Sequence, residues 1–423
     1  MRKTRSRWFV VATFFVFILL HQTDKLLIGP LTTPIMATFG IDEAQMGMVF
    51  SGAIAVGAIC FPLWGILFDL FKRTRLLALA SFIWGATTWL SAIAPTYGLF
   101  LASRASTGID DSCYPGIYNT IADYFEPRER GKINGILQLG QPIGYLLAMV
   151  LGIFLLSIIG WRNIFLLTGA LGILLSLVIY FFVREPVRGG TEPELAAASH
   201  MTEVRFSWKA TLKILRKPTL LFLFANSFFG VIPWQVITFW IFRYLETERN
   251  YAPERLFLVM AIVVLVLAAG YPIGGILGDY LFRRTPRGRL IVSTTGILLG
   301  TLFLFLAITT PVSQRLLFEI LLGLTALFMP LAGPNAIATI YDITEPEIRS
   351  TANAMMNFLE QLGSVAAPTL AGLIAVRASL GTAILVICTS AWAICLIFIV
   401  IAIILVPRDI AALRQELRTR AAG

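Results

Sequence analysis

Three charged residues, Asp24, Arg104 and Asp111, stand inside long apolar runs of this 423-residue chain. A charged side chain at bilayer depth costs at least about 2.5–3.5 kcal/mol, so it is kept where it works or where it is paired. Carboxylates beside an arginine can exchange protons and hold a charged solute, which makes Asp24 and Asp111 the expected proton carriers and Arg104 the expected anchor of the solute. Asp24 belongs to the polar string His21-Gln22-Thr23-Asp24-Lys25, and Asp110 sits beside Asp111. Arg104 and Asp111 are seven residues apart, so they are expected on one face of the fourth run, two turns apart, with Asp24 free to approach either. Asn134, Gln138 and Gln141 recur at i, i+4 and i+7. Asn353, Asn357 and Glu360 repeat that spacing 219 residues later, with Gln361 beside them. The amides have two readings: walls of a solute cavity, or hydrogen bonds between helices worth roughly 0.6–2 kcal/mol each.

The elements that must hold these groups are membrane spans. The chain is 57% hydrophobic and 14% charged, too apolar for a soluble protein of its length. Twelve runs long enough to cross a bilayer lie at about 10–36, 44–68, 76–95, 97–121, 133–157, 162–183, 218–243, 254–278, 289–310, 315–340, 351–376 and 380–406. The expected fold is an all-α polytopic membrane protein of two pseudo-symmetric six-helix bundles. Residues 1–183 form the first bundle, 184–217 a cytoplasmic linker, 218–406 the second bundle, and 407–423 a basic tail on the inner surface. Loops on one side carry 26 of the 34 Lys and Arg residues, so both termini face the cytoplasm. Runs 3, 6, 9 and 12 carry no charge in their interiors and suit lipid, whereas run 10 carries Glu319. The net charge of +10 is spread over these short loops, which excludes nucleic-acid binding by one basic face. Four cysteines show no metal-ligand spacing, and the absence of P-loop, zincin and nucleophile-elbow motifs argues against an enzyme or a cofactor. Trp64, Trp84, Trp89 and Trp161 lie near run ends, where interfacial anchoring is expected, and Pro142 is expected to kink the fifth run.

The halves repeat each other. Gly65, Asp69 and Arg73 follow the second run, and Gly275, Asp279 and Arg283 follow the eighth at a constant offset of 210. Asp123 and Arg130 after the fourth run match Asp342 and Arg349 after the tenth at an offset of 219, within the strings Ile121–Arg130 and Ile340–Arg349. An Asp at a helix end with an Arg a turn further on can pair with neighbouring helix termini, so these eight residues are expected to latch the halves.

The Gly65/Asp69/Arg73 pattern and its duplicate resemble the cytoplasmic loop motif of the major facilitator superfamily. Within that superfamily the first half resembles the Spinster family of lysolipid and sphingolipid transporters. Asp24-Lys25-Leu26 through Pro34, Arg104-x-x-x-Gly108-x-x-Asp111-x-x-Tyr114, and Val183-Arg184-Glu185-Pro186-x-Arg188-Gly189 carry the likeness. In the second half Arg349-Ser350-Thr351-Ala352 fits, but Gln361 stands where the family has a histidine. The resemblance implies that Asp24 and Asp111 are the protonatable pair and that Arg104 meets the substrate headgroup, with Tyr114 nearby. Asp110, Asn134, Gln138, Gln141, Asn357, Glu360 and Gln361 complete the expected substrate contacts. The function expected is secondary transport by a monomer, proton-coupled, of a lysolipid-like or other organic anion across a membrane, the cytoplasmic (inner) membrane if the source is bacterial. An organic-anion or sugar-acid symporter and an uncoupled facilitator stay open. The expected partners are that small-molecule or lipid substrate, protons and membrane lipids, with no cofactor.

Overall fold

The computed structural model describes residues 2–422 apart from Glu126, 187–216, Pro346 and Glu347, and leaves the side chains of 2–6, 69, 127, 128, 131, 350, 416, 417 and 420–422 undescribed. Most of the linker 184–217, with Arg188, Gly189 and His200, and the Asp69 side chain therefore lie outside the described residues. The helices are α1 Arg2–Leu27, α2 Thr32–Phe39, α3 Glu43–Leu70, α4 Arg73–Ile93, α5 Tyr97–Ser106, α6 Tyr114–Tyr124, α7 Pro127–Gln138, α8 Gly140–Val150 and α9 Leu156–Phe182. After the linker come α10 Pro218–Thr247, α11 Pro253–Phe282, α12 Gly288–Thr309, α13 Arg315–Phe328, α14 Ala332–Ile343, α15 Arg349–Arg377 and α16 Leu380–Ala422. There is no strand among the described residues. Among the described residues, ten helical stretches are long and apolar enough to cross a membrane. One of them, the 51-residue stretch Lys132–Phe182, holds the fifth and sixth runs, and the fourth run is broken into pieces too short to count. Twelve spans follow.

The turn between the fifth and sixth runs is made at Gly160, whose φ of 75° and ψ of 158° only glycine adopts without strain. A π turn at Leu151–Leu155 precedes it. Pro142, expected to kink the fifth run, lies in the first turn of α8; it has no N–H for the Gln138 carbonyl, and the helix is interrupted there, at Leu139, whose backbone keeps right-handed helical angles.

The chain divides into two compact units: Met1–Glu203 with Thr238–Arg243, and Val204–Ile237 with Tyr244–Gly423. The first is held by small and hydroxylated residues at helix contacts, as expected where lipid supplies no hydrophobic drive between helices. α4 packs on α9, where Ser81 Oγ donates to the Gly172 carbonyl at 2.8 Å and Ser176 Oγ to the Ala78 carbonyl at 2.7 Å. α1 packs on α8, where Thr23 Oγ1 donates to the Gly144 carbonyl at 3.1 Å. Phe14, Phe17, Trp84, Ile117 and Phe125 fill the core between them. Trp64, Trp84 and Trp161 are buried rather than interfacial. Trp64 Nε1 donates to the Ile109 carbonyl at 2.5 Å and Trp161 Nε1 to Thr38 Oγ1 at 3.0 Å, whereas the buried Trp84 Nε1 has no partner in the protein.

The fourth run departs most from expectation. Read as one helix over 97–121, it is instead α5, a 3₁₀ turn at Thr107–Ile109, a turn through Cys113, and α6. Pro115 in the first turn of α6 has no N–H to continue the preceding hydrogen-bond ladder. Irregular backbone at membrane depth is tolerated where protein covers it. Here Ser112 Oγ donates to the Gly57 carbonyl at 2.9 Å, and Gly108 lies so close to α3 that a methyl group would overlap the Ala53 carbonyl oxygen. Gly108→Val is expected to destabilise the protein by roughly 2–4 kcal/mol, read as a lower melting temperature in detergent, because backbone rather than a flexible side chain must move.

In the second unit, buried Arg249 closes the end of α12. Its guanidinium donates to the carbonyls of Ala307 at 2.9 Å, Ile308 at 3.0 Å and Thr310 at 2.7 Å, and lies 4.2 Å from the Phe318 ring centroid. Those carbonyls are among the four that any helix end leaves unpaired. Arg249→Ala is expected to cost about 3 kcal/mol, again as a lower melting temperature. Glu319, expected at bilayer depth, lies in the first two turns of α13. It accepts hydrogen bonds from Arg255 Nε at 2.9 Å and Tyr251 Oη at 3.0 Å, so its charge is paired near a helix end. The tail is no separate helix: α16 passes through Pro407 and buries Ile410 and Leu413.

Candidate functional site

Six titratable residues of the first unit meet in one cavity: His21, Asp24 and Lys25 from α1, Arg104 from α5, and Asp110 and Asp111 from the break before α6. α1 brings its three with one turn of helix. The break supplies the other two carboxylates, since its irregular backbone lets adjacent residues point to different partners.

Asp24 is 2% exposed. Thr88 Oγ1 on α4 donates to its Oδ2 at 2.9 Å, and Thr168 Oγ1 on α9 donates to its Oδ1 at 2.6 Å. Arg104 Nη1 lies 3.7 Å from Oδ2, an ion pair without a direct hydrogen bond. The guanidinium, 3% exposed, stands 5.2 Å from the Phe165 ring centroid, and its Nε and Nη1 have no hydrogen-bond partner in the protein. Buried donors are rarely left so, and here two on one cation stand beside a cavity.

Asp111 does not pair with Arg104. Lys25 Nζ donates to its Oδ2 at 2.6 Å, the lysine side chain being 40% exposed and the carboxylate 17%. The seven-residue spacing that placed Arg104 and Asp111 on one face holds only for a continuous helix, and the break at Thr107–Cys113 removes that premise. The site thus holds one sealed pair, Asp24–Arg104, and one open pair, Lys25–Asp111.

Asp110 is fully buried, and its Oδ2 lies 2.7 Å from His21 Nε2. The other ring nitrogen, Nδ1, is 2.7 Å from Tyr114 Oη, which accepts from Gln22 Nε2 at 2.9 Å. Asp110 and Tyr114, expected as substrate contacts, are thus held by His21. The roles of His21, Lys25, Thr88 and Thr168 escape a reading of the sequence. A hydroxyl in an apolar helix by default bonds its own backbone, as Thr87 and Ser91 do, and nothing local separates Thr88 from them.

The amide stripes are less enclosed. Gln138 and Gln141 are exposed, Asn134 is half-buried with its Oδ1 unpartnered, and none of the three lines the cavity. In the second unit Asn357, Glu360 and Gln361 are half-buried on α15, with Glu360 hydrogen-bonded to Ser227.

The duplicated loop residues form matching constellations inside each unit. Arg73 Nη1 donates to Asp123 Oδ2 at 2.6 Å and reaches the Asn119 carbonyl at 3.5 Å. Arg289 Nη1 donates to Asp342 and reaches the Ala338 carbonyl at 3.5 Å, and its Nη2 donates to Asp279 at 2.8 Å. The counterpart of Arg73 is therefore Arg289, not Arg283, whose side chain is exposed. The sequence pairing failed because the loop before α12 is longer than the loop before α4, so position along the chain and position at the helix start part company. Arg130 Nε donates to the Ala122 and Phe125 carbonyls and Arg349 Nε to those of Tyr341 and Thr344, each displaced by 219 residues. Glu185 caps α4, accepting from the backbone N–H groups of Arg73 at 3.1 Å and Thr74 at 2.8 Å.

Residues 13–322 match the model of the Major Facilitator Superfamily. The chain is 26% identical to the protein spinster of Drosophila melanogaster over 385 residues, 88% of this chain, and spans 62% of that relative's length. It is 23% identical to the probable sulfoacetate transporter SauU of Cupriavidus necator over 369 residues, 84% of either chain. A crystal structure of a bacterial homolog of the human lysosomal transporter Spinster, inward-facing and unoccupied, superposes with a TM-score of 0.79 at 20% identity, covering 96% of this chain and 98% of that one.

Proposed function

The chain belongs to the Major Facilitator Superfamily, and we propose that it is a secondary transporter coupling protons to the movement of an organic or amphipathic anion by alternating access. The observation that carries this reading is Arg104: a buried guanidinium beside the cavity, with two donors unspent inside the protein and a carboxylate 3.7 Å away. Its planar fork suits the carboxylate, sulfonate or phosphate of an anionic substrate. Asp24 competes for the same cation. A proton on Asp24 removes that competition, and loss of the proton restores it, so anion and proton are bound together and released together. Asp111 stands in the same relation to Lys25 nearer the opening. Lys25 is a contact for the anion on its way to Arg104. In this reading both termini face the cytoplasm and the protein works as a monomer, one chain carrying both units. The loop constellations around Arg73 and Arg289 are the conformational latches.

Sulfoacetate and a lysophosphatidate represent the two substrate classes, a small organic anion and an amphipathic one. Purified protein is screened by thermal shift against each, and the stabilising one is followed into proteoliposomes. The expected result is stabilisation by one class at micromolar to millimolar concentration and its accumulation against a gradient when the proton gradient points the same way. Accumulation indifferent to an imposed pH difference would sink the coupling and leave an uncoupled facilitator.

A further inference from the structure

We propose that the His21–Asp110 pair is a second proton-binding unit of the cavity, distinct from Asp24 and Asp111, with the ring of His21 as the group that gains the proton. The inference rests on the reading that this cavity exchanges protons, and it adds a carrier which that reading does not use.

Charge balance motivates it. Asp24, Asp110 and Asp111 converge on the cavity with two permanent cations, Lys25 and Arg104. Lys25 pairs with Asp111 and Arg104 with Asp24, so Asp110 has no cation unless His21 is one. Asp110 is fully buried and its Oδ1 has no hydrogen-bond partner. An uncompensated carboxylate there is costly, and a proton on the neighbouring imidazole removes the imbalance.

The hydrogen bonds allow it. With Asp110 ionised, Nε2–H donates to Oδ2 in both states of the ring. The change falls on Nδ1, whose partner is the Tyr114 hydroxyl. A hydroxyl both donates and accepts, so it gives its proton to a bare Nδ1 and accepts from a protonated one after a simple rotation. Gln22 Nε2 donates to the same oxygen in either case. The ring can therefore gain and lose a proton without losing a hydrogen bond.

Other groups face the ring from each side. Asp111 Oδ1 is 4.0 Å from Nε2, Lys25 follows on the same helix, and α4 presents the uncharged Trp84 at 5.5 Å between centroids. Phe17 stacks on the ring at 5.7 Å. The two carboxylates outweigh the single lysine, which already belongs to Asp111.

His21 is one of only two histidines in the chain. In a His200→Gln background, histidine labelled with nitrogen-15 reports on His21 alone, in full-length protein in nanodiscs. The expected spectrum shows Nε2 protonated throughout and Nδ1 gaining a proton as pH falls between about 8 and 5, the range in which histidines change charge. Asp110→Asn is expected to lower the midpoint by at least about one pH unit, a tenfold loss of proton affinity. If that variant does not fold, Tyr114→Phe serves: removing the acceptor for Nδ1–H also lowers the midpoint. A ring that keeps one charge state across that range, or a midpoint unmoved by both changes, overturns the proposal and leaves a structural hydrogen bond. The two readings fail separately. A titrating His21 in a protein whose uptake ignores a pH gradient would end the coupling reading alone, and a silent ring with gradient-driven uptake would end this one alone.

Discussion

Arg104→Lys is expected to weaken binding of the anionic substrate by about 10–100-fold while leaving the protein folded. Lysine keeps the positive charge that Asp24 needs at its 2% exposure, so no buried carboxylate is orphaned. What is lost is the fork: the donors that are unspent on the guanidinium have no equivalent on an ammonium, whose reach and hydration also differ. Arg104→Ala is a different experiment. It leaves Asp24 with only the hydroxyls of Thr88 and Thr168, and breaking a buried pair from one side costs about 3–5 kcal/mol. Removing the carboxylate as well, in Asp24→Asn/Arg104→Gln, is expected to recover most of that stability and none of the binding. Thermal melting separates the effects: the single alanine variant melts low, the double variant near wild type, and neither is stabilised by substrate. Binding at wild-type affinity in Arg104→Lys would show that the substrate anchor lies elsewhere.

Asp111→Asn is expected to reduce uptake driven by a proton gradient at least about tenfold, to the level of passive equilibration, while exchange of internal for external substrate persists. Exchange needs the anion site and its alternation, not the proton. Because the Lys25–Asp111 pair is open to the cavity, its loss is expected to cost less than about 1 kcal/mol of stability, far less than loss at the sealed pair. Asp111→Glu keeps the titratable group and should retain gradient-driven uptake. Proteoliposomes with an imposed pH difference read all three proteins in one assay. Uptake by Asp111→Asn as steep in the gradient as wild type would remove Asp111 from the coupling.

The spans were legible in the sequence because each one must bury its backbone polar groups along its own length, which writes an apolar run of fixed size. The fourth run shows the limit of that logic. Composition gives its length but not the break at Thr107–Cys113, which depends on Gly108 fitting against Ala53 and on Ser112 finding the Gly57 carbonyl. Similarly, the repeat was visible at Asp123/Asp342 and Arg130/Arg349, where the strings align without gaps. It misled at Arg73, because a longer second loop moved the structural counterpart to Arg289. Trp84 and Trp161 read as interfacial from their positions near run ends, yet both are buried in the first unit.

By itself the sequence determined that Asp24, Arg104 and Asp111 are charges kept at depth, and that they belong to a membrane transporter fold. Their cost in lipid is a property of each residue and its apolar neighbours, and needs no partner to be read. Only the tertiary structure decided who holds whom: Asp24 with Arg104, Asp111 with Lys25, and Asp110 with His21. Pairing is set by distances of a few ångströms between residues far apart in the chain, across a helix break whose geometry no spacing rule contains.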